Sequence, residues 1–519
     1  MFIKYNMKIQ KKNLIISSII VVVFMTVLNL TACNFLAYSW GEWEITTAAG
    51  CTEYGQKTRI CKNLPTRIQT ESISPTGHSW GEWTMAKYPC TAHGIKIRSC
   101  LNLDCSKEEE KFIDAVYALE SQKIRAGDAS SFAIDKNGNL WGWGRNNNGQ
   151  LGDGSNINRH SPIQINTNGR MYDSKIEFIA AGRNHSLAID INGRLWAWGS
   201  TESGRLGDGT DGFIGDFINT PVLINHYGWD NLRIVYAATG YSHSLALDEN
   251  GNLWSWGHGF RGQLGHGMHG PHVRSAVPVL INTDGRMNNS KIEIISSGDL
   301  HSLAIDEYGN LWAWGSNQAG QLGDGMGGMG NFSNSDTPIL VNTNGRMNDA
   351  KVREISAGGG HSLAIDEHGY LWAWGSNGVG QLGSEQENTA FVPILANTNG
   401  RMYNNAKAIS ISAGGSHSLV IDEHGYLWAF GGNWDGQLGD GTGGYQEWWE
   451  NYSYVPILVN VSGRINNAFI IYFSAGQQHS FAIDSKGNLW AWGLNTLGVL
   501  GDGTVVSQNT PKNIFWCVC

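Results

Sequence analysis

The chain has 519 residues, of which 68 are glycine and 22 tryptophan, while only 16% are charged. Glycine near 13% is about twice the usual share, but it follows no Gly-x-y period, so collagen is excluded; the aromatic content excludes a disordered chain. A net charge of -9 argues against a nucleic-acid-binding surface, because such domains are usually basic.

Lys4, Lys8, Lys11 and Lys12 open the chain without an acid. An apolar run from Leu14 to Leu30 follows, broken by Ser17, Ser18, Thr26 and Asn29. That is the layout of an export signal. The run ends in Leu30-Thr31-Ala32-Cys33, which resembles the lipobox of bacterial lipoproteins. The resemblance implies cleavage before Cys33 and lipidation of its thiol, so residues 1–32 are read as a lipoprotein signal peptide. The competing reading is an uncleaved membrane anchor, since 17 residues just suffice to span a bilayer. Either way the rest is exported and tethered at a bacterial cell envelope, on the periplasmic or extracellular side. Removal of residues 1–32 takes away four lysines and leaves a charge of -13.

Beyond Cys33 come Cys51, Cys61, Cys90, Cys100, Cys105, Cys517 and Cys519. Oxidising compartments permit disulfides, and an odd number leaves one thiol free or paired between chains. Residues 33–105 hold two similar units. Trp40, Trp43, Cys51, Arg59 and Cys61 correspond to Trp80, Trp83, Cys90, Arg98 and Cys100. Each unit is too small for a core of its own, so a staple is expected, Cys51–Cys61 in one and Cys90–Cys100 in the other. Arginine over tryptophan can stack as a cation–π layer. The pattern resembles thrombospondin type 1 modules over about 65 residues, but lacks several of that family's cysteines. Two roles remain open, a stalk and an adhesive module. Residues 106–121 place Phe112, Val116 and Leu119 at helical spacing behind an acidic first turn, which predicts a short linking helix.

Residues 122–519 consist of seven repeats. The segment from His185 to Asp190, the aromatic pair Trp196/Trp198 and a Gly-rich run to Gly209 recur along the chain. The position of His185 is held in the other units by Ser130, His243, His301, His361, His417 and His479, at spacings of 55, 58, 58, 60, 56 and 62 residues. Each unit reads as four short strands: an Ile-x-x-Ile-Ser-Ala-Gly type run, His-Ser-Leu-Ala-Ile-Asp, Leu-Trp-Ala-Trp-Gly, and a proline-led strand such as residues 221–225. Asp-x-x-Gly, as at Asp306 to Gly309, predicts a tight hairpin between the second and third strands. Small residues such as Ala188 and Ala197 let sheets pack closely, and tryptophans fill the wedge that opens outward. Four strands repeated radially make an all-β protein, a seven-bladed β-propeller.

The repeat resembles that of the regulator of chromosome condensation family, over about 400 residues and all seven units. The resemblance implies a seven-bladed propeller closed by strands from both ends of the chain. It implies no single activity: members exchange nucleotide on a small GTPase, bind chromatin, or inhibit β-lactamases outside the cell. What they share is a large rigid face for binding proteins, and the export signal argues against the nuclear and cytosolic roles.

Six equivalent histidines invite a metal reading, but no carboxylate recurs beside them and zinc needs ligands converging at about 2 Å. A structural role is expected, bonding backbone within each blade. The Asp-x-Asn-Gly stretches, such as Asp248 to Gly251, lack the later glycine and closing glutamate of a calcium loop and read as turns. Residues between the first and second strands are expected at one channel mouth: Asp128-Ala129, Arg183-Asn184, Tyr241-Ser242, Asp299-Leu300, Gly359-Gly360, Gly415-Ser416 and Gln477-Gln478. No nucleophile–base set and no carboxylate pair is evident, no P-loop is present, and neither an enzyme nor a cofactor is expected.

Recognition is expected where the units differ. The loop before the fourth strand is long in unit 2 (210–220), unit 3 (268–277), unit 4 (326–337) and unit 6 (442–455). Unit 6 carries Tyr445, Trp448, Trp449, Tyr452 and Tyr454, with Trp434 upstream, and unit 4 adds Met329 and Phe332. Aromatic and Met side chains are enriched at protein-binding hot spots, and flat aromatic surfaces also suit sugar rings. These residues are the expected ligand-binding set, with packing against the propeller's own rim as the competing reading. The sequence thus points to a membrane-anchored lipoprotein that binds a protein partner without catalysis. Carbohydrate binding and inhibition of a secreted enzyme are the alternatives.

Overall fold

The computed structural model describes residues 124–514, apart from 166–170, 172–173, 226–228, 230–231, 282–285, 329–332, 342–346, 348–349, 386–388, 397–401, 403–405, 444–450 and 460–468, and the backbone of six short strands between residues 44 and 112. All eight cysteines lie outside the described residues, as does the apolar run 14–30. The lipidation at Cys33 and the staples Cys51–Cys61 and Cys90–Cys100 therefore remain expectations.

The six early strands form two three-stranded sheets. One runs Glu44–Thr47, Gly55–Ile60, Ile68–Ile73, and the other Thr84–Met85, Ile95–Ser99, Glu108–Phe112, each with neighbours paired in chain order. The two Trp/Cys units therefore share one topology. The last strand corrects the linking-helix expectation for 106–121. Residues 108–112 are extended, as third strand of the second sheet, where 68–73 stand in the first. A sheet partner overrides a helical preference worth only tenths of a kcal/mol per residue.

From residue 124 onward seven four-stranded sheets follow one another. Blade 1 uses Ile124–Ala126, Ser130–Ile134, Leu140–Gly144 and Arg159–Gln164; blade 7 uses Ile470–Ala475, His479–Asp484, Leu489–Gly493 and Gln508–Ile514. Each blade is one continuous stretch of chain with its strands in sequential antiparallel order. Ring closure follows from this. The two ends of the propeller meet as complete blades, not as strands shared within one blade. The Ala126 amide donates to Ser474 Oγ at 3.0 Å, and Trp143 Nε1 donates to the Val499 carbonyl at 2.8 Å.

The recurring residues explain the packing. The second-strand Leu and Ala and the third-strand Ala are fully buried between sheets, as Leu303, Ala304 and Ala313 show. Wherever the second aromatic of the pair is Trp, as at Trp143, Trp198, Trp256, Trp314, Trp374 and Trp492, it is fully buried and its Nε1 bonds a carbonyl of the preceding blade. The first aromatic bonds within its own blade: Trp312 Nε1 donates to Asp306 Oδ2 at 3.0 Å. Asp306 Oδ1 accepts the amides of Tyr308 and Asn310, so one carboxylate closes the hairpin and pins the tryptophan. The Asp248 carboxylate is consumed the same way, by Asn250, Asn252 and Trp254. The turn reading of these stretches holds.

The histidines do something the sequence did not disclose. Each reaches the serine of the next blade. His185, His243, His301, His361 and His417 Nε2 lie 2.8–2.9 Å from Oγ of Ser244, Ser302, Ser362, Ser418 and Ser480. His479 closes the circle to Ser131 at 3.3 Å. The expected bond to backbone within the blade is thus corrected to a side-chain bond between blades. Each serine hydroxyl donates onward to a carbonyl, as Ser362 does to Gln321 at 2.8 Å, so it accepts from the imidazole, which must carry its proton on Nε2. Ser130 replaces the histidine in blade 1, and its hydroxyl is buried with no hydrogen-bond partner.

Candidate functional site

Alternating strand direction sorts the connections onto two faces. Links from first to second strand and from third to fourth leave one face. Hairpins between the second and third strands, and links to the next blade, leave the other. The channel between the first strands opens on both.

On the hairpin face lies a cavity of about 570 Å³, lined by first-strand residues of all seven blades, among them Arg125, Tyr236, Glu354 and Tyr472. On the opposite face the channel narrows to about 110 Å³. The narrow mouth is lined by Asp128, Arg183, Tyr241, Asp299, Gly359, Gly415 and Gln477, the first residue of each expected pair, while the second residues, Ala129, Asn184, Ser242, Leu300, Gly360, Ser416 and Gln478, do not line it. It is narrow because each first strand ends in glycine. A Cβ on Gly358 would stand 2.6 Å from the Gly414 carbonyl, and one on Gly414 would stand 2.5 Å from that of Gly476. Neighbouring blades approach too closely there for any side chain. Amides stitch the collar across blades, Asp299 to Gly358, Gly359 to Gly414, Gly415 to Gly476 and Gln477 to Gly127.

The charged part of the mouth spans blades 1 to 4. The Arg183 guanidinium sits 4.0 Å from the centre of the Tyr241 ring and 3.6 Å from the Asp128 carboxylate. Burial pushes the Asp299 carboxyl up to about 7; the Asp128 charge adds to this, and Arg183 opposes it. Burial also raises Asp128, against Arg183 and Arg145. Two acids raised by burial thus line the same mouth. Both acids follow the glycine that ends the first strand, in blades 1 and 4, the repeat position from which the sequence placed them at this mouth. No nucleophile with a base in hydrogen-bond reach lines this mouth among the described residues.

The aromatic set expected to bind ligand is only partly described. Tyr445, Trp448, Trp449, Met329 and Phe332 lie outside the described residues. Trp434 is half-buried, and a Cβ on Gly432 would touch its ring at 2.7 Å, so it folds over its own loop. Tyr452 is exposed and stands edge-on to Tyr454, with ring centres 5.2 Å apart. The Tyr454 hydroxyl donates to the Gly378 carbonyl of blade 5 at 3.3 Å. Of these three, Tyr452 has the most surface to offer a ligand.

The histidines are committed to the seams. Burial drives the imidazoles of His243, His301, His417 and His479 down to about 3 and that of His361 to about 4. His185 is also far below the ordinary value, from burial and then Arg205. Nδ1 of five of these rings is buried without a partner, so a second ring proton would find no acceptor. Among the described residues no three His, Cys, Asp or Glu side chains are grouped as a metal site would need.

A family model described as the RCC1-like domain matches residues 172–518. Models of the regulator of chromosome condensation (RCC1) repeat match 137–189 and 122–150. The chain is 29% identical over 392 residues to the ultraviolet-B receptor UVR8 of Arabidopsis thaliana, covering 75% of this chain and 81% of the receptor. It is 29% identical over 395 residues to a secretion-regulating guanine nucleotide exchange factor of Bos taurus, covering 74% and 80%. Against human HERC2, an E3 ubiquitin-protein ligase, the match covers 6% of that protein. Among solved structures, yeast RCC1 (Prp20) bound to Kap60 superposes with a TM-score of 0.62 at 25% identity, covering 73% of this chain and 84% of that one.

Proposed function

Because this chain belongs to the RCC1-like domain family, we propose that its propeller is a non-enzymatic protein-binding scaffold, held at a bacterial cell envelope by a lipid on Cys33. One observation carries the reading. The polar residues that recur from blade to blade are consumed inside the ring: imidazoles on serines, indoles on carbonyls and aspartates, glycines in the collar. Chemistry left for recognition is individual, and part of it lies on the face of the narrow mouth. There the Asp128–Arg183–Tyr241–Asp299 cluster is ringed by the third-to-fourth-strand loops of unequal length. Rigid scaffolds with unequal loops are suited to binding proteins. The relatives that match over most of their length, a receptor and an exchange factor, support a non-catalytic role.

The tether rests on Leu30-Thr31-Ala32-Cys33 behind the apolar run. Radiolabelled palmitate in the source cells should label the chain and should not label Cys33→Ala, which should leave the membrane fraction. The scaffold is tested by retention of envelope proteins on the full chain beside Arg183→Ala/Tyr241→Ala. A partner lost from the variant with folding intact supports the reading. No retained protein on either chain, from envelope or secreted fractions, contradicts it.

A further inference from the structure

The loop before the fourth strand of blade 2 holds two large apolar side chains almost fully in solvent, Phe213 at 83% and Ile214 at 88% exposure. They stand at the tip of a braced turn. The Asp216 amide donates to the Phe213 carbonyl at 3.0 Å, closing four residues, with Gly215 at φ +96° in the third place. That geometry suits a type II turn, which wants glycine there. The Asp216 carboxylate accepts the Phe213 amide at 2.9 Å. The base is tied to the third strand's exit. The Thr201 amide donates to the Asp216 carbonyl, and the Gly212 amide to the Thr201 carbonyl. Arg274 of blade 3 bonds Asp211 at 2.7 Å and fixes the loop sideways. Two bulky apolar groups are thus ordered and offered to water, which costs solvation free energy without any return inside this fold.

The surroundings name the chemistry of what covers them. Glu202, Asp208, Asp211 and Asp216 share this loop. Glu202 is paired with Arg205 and Asp211 with Arg274, whereas Asp208 and Asp216 meet no cation within ion-pair distance among the described residues. A membrane surface rich in anionic lipid would be repelled by this rim. A basic protein surface would be attracted and held in register.

We propose that Phe213 and Ile214 form the anchor of the protein interface, inserting into an apolar pocket of the partner that is rimmed by Lys or Arg. The inference rests on the scaffold reading and deepens it. The pre-formed turn lowers the ordering cost on binding, so the anchor acts as a hot spot.

The test uses the full chain with p-benzoyl-phenylalanine in place of Ile214, photolysed in source cells. The expected result is a protein adduct whose cross-linked residue lies in an apolar pocket flanked by Lys or Arg. Retention of that protein on the unmodified chain should fall about 30-fold with Phe213→Ala/Ile214→Ala, the scale of a hot-spot loss. It should also weaken as salt rises. Asp216→Ala, which keeps both side chains and loosens the turn, should give a smaller loss; no loss overturns the role of the braced turn. A partner retained equally by wild type and Phe213→Ala/Ile214→Ala overturns the anchor while leaving the scaffold intact. Adducts only to lipid, with flotation on phosphatidylcholine–phosphatidylglycerol vesicles lost in Ile214→Asp, assign the loop to a bilayer and overturn the proposal. So do adducts only to a second copy of the chain. No adduct and no retained protein overturn anchor and scaffold together.

Discussion

Two seams of the ring differ in an instructive way. Blades 7 and 1 have no covalent link between them, yet their seam carries the full set of bonds. His479 reaches Ser131, Ser131 and Trp143 both donate to the Val499 carbonyl, and Ala126 bonds Ser474. Blades 1 and 2 are joined by the chain itself, and theirs is the seam that lacks an imidazole. Ser186 and Trp198 still donate to the Gln150 carbonyl, but Ser130 offers nothing to Ser186. Chain continuity supplies proximity at one seam and side chains supply it at the other. The repeat can therefore lose a bond where the backbone already holds the blades together.

Acid should loosen the six seams that carry an imidazole and give the largest effect. The six imidazoles have folded values far below their ordinary 6.5, so the unfolded chain takes up protons first as pH falls. Their contribution is fully present above pH 6.5 and is lost as pH drops through the window towards 4 and 3. Asp299, raised to about 7, works in the opposite direction over part of that range, as do Asp128 and Asp435, also raised by burial, but three carboxyls stand against six rings. The thermal midpoint should fall steadily from pH 6.5 to pH 4, as read by circular dichroism.

Trp314→Ala removes a fully buried indole and its bond to the Gln263 carbonyl. Unfolding in denaturant should show a loss of about 4 kcal/mol, the usual scale for a large core aromatic. His361→Ala deletes one seam bond and leaves a cavity beside Ser418, and should cost about 2 kcal/mol. The smallest effect sharpens the comparison of seams. Ser130→His restores the missing imidazole opposite Ser186 and should raise stability by about 1 kcal/mol. A loss there would mean that the seam between blades 1 and 2 has closed over the space a ring needs.

Much of this was legible because it was periodic. Seven variants of the His-Ser-Leu-Ala-Ile-Asp and Leu-Trp-Ala-Trp-Gly pattern marked strands, hairpins and channel mouth by position alone. The partner of each histidine was not, because it lies in the next blade, 57 to 63 residues away or, for His479, 348 residues back. The raised values of Asp128 and Asp299 were hidden for the same reason: the burial that causes them exists only once the ring has closed. The stretch 108–112 misled because helical spacing of apolar residues downstream outweighed the register with the preceding unit. Phe213 and Ile214 had no recurrence to flag them; their signal is two apolar residues set between glycines and aspartates.

The central claim is that recurring residues build the ring while individual loop residues recognise a partner. It is tested most directly by measuring thermal unfolding and retention of envelope protein side by side on Ser302→Ala, a seam variant, and on Trp448→Ala/Trp449→Ala, a loop variant. The account predicts that the seam variant melts earlier yet retains its partner below its melting point, while the loop variant melts as wild type and loses the partner. A loop variant that melts early and retains the partner undiminished would contradict it, and would make those aromatics part of the propeller's own rim.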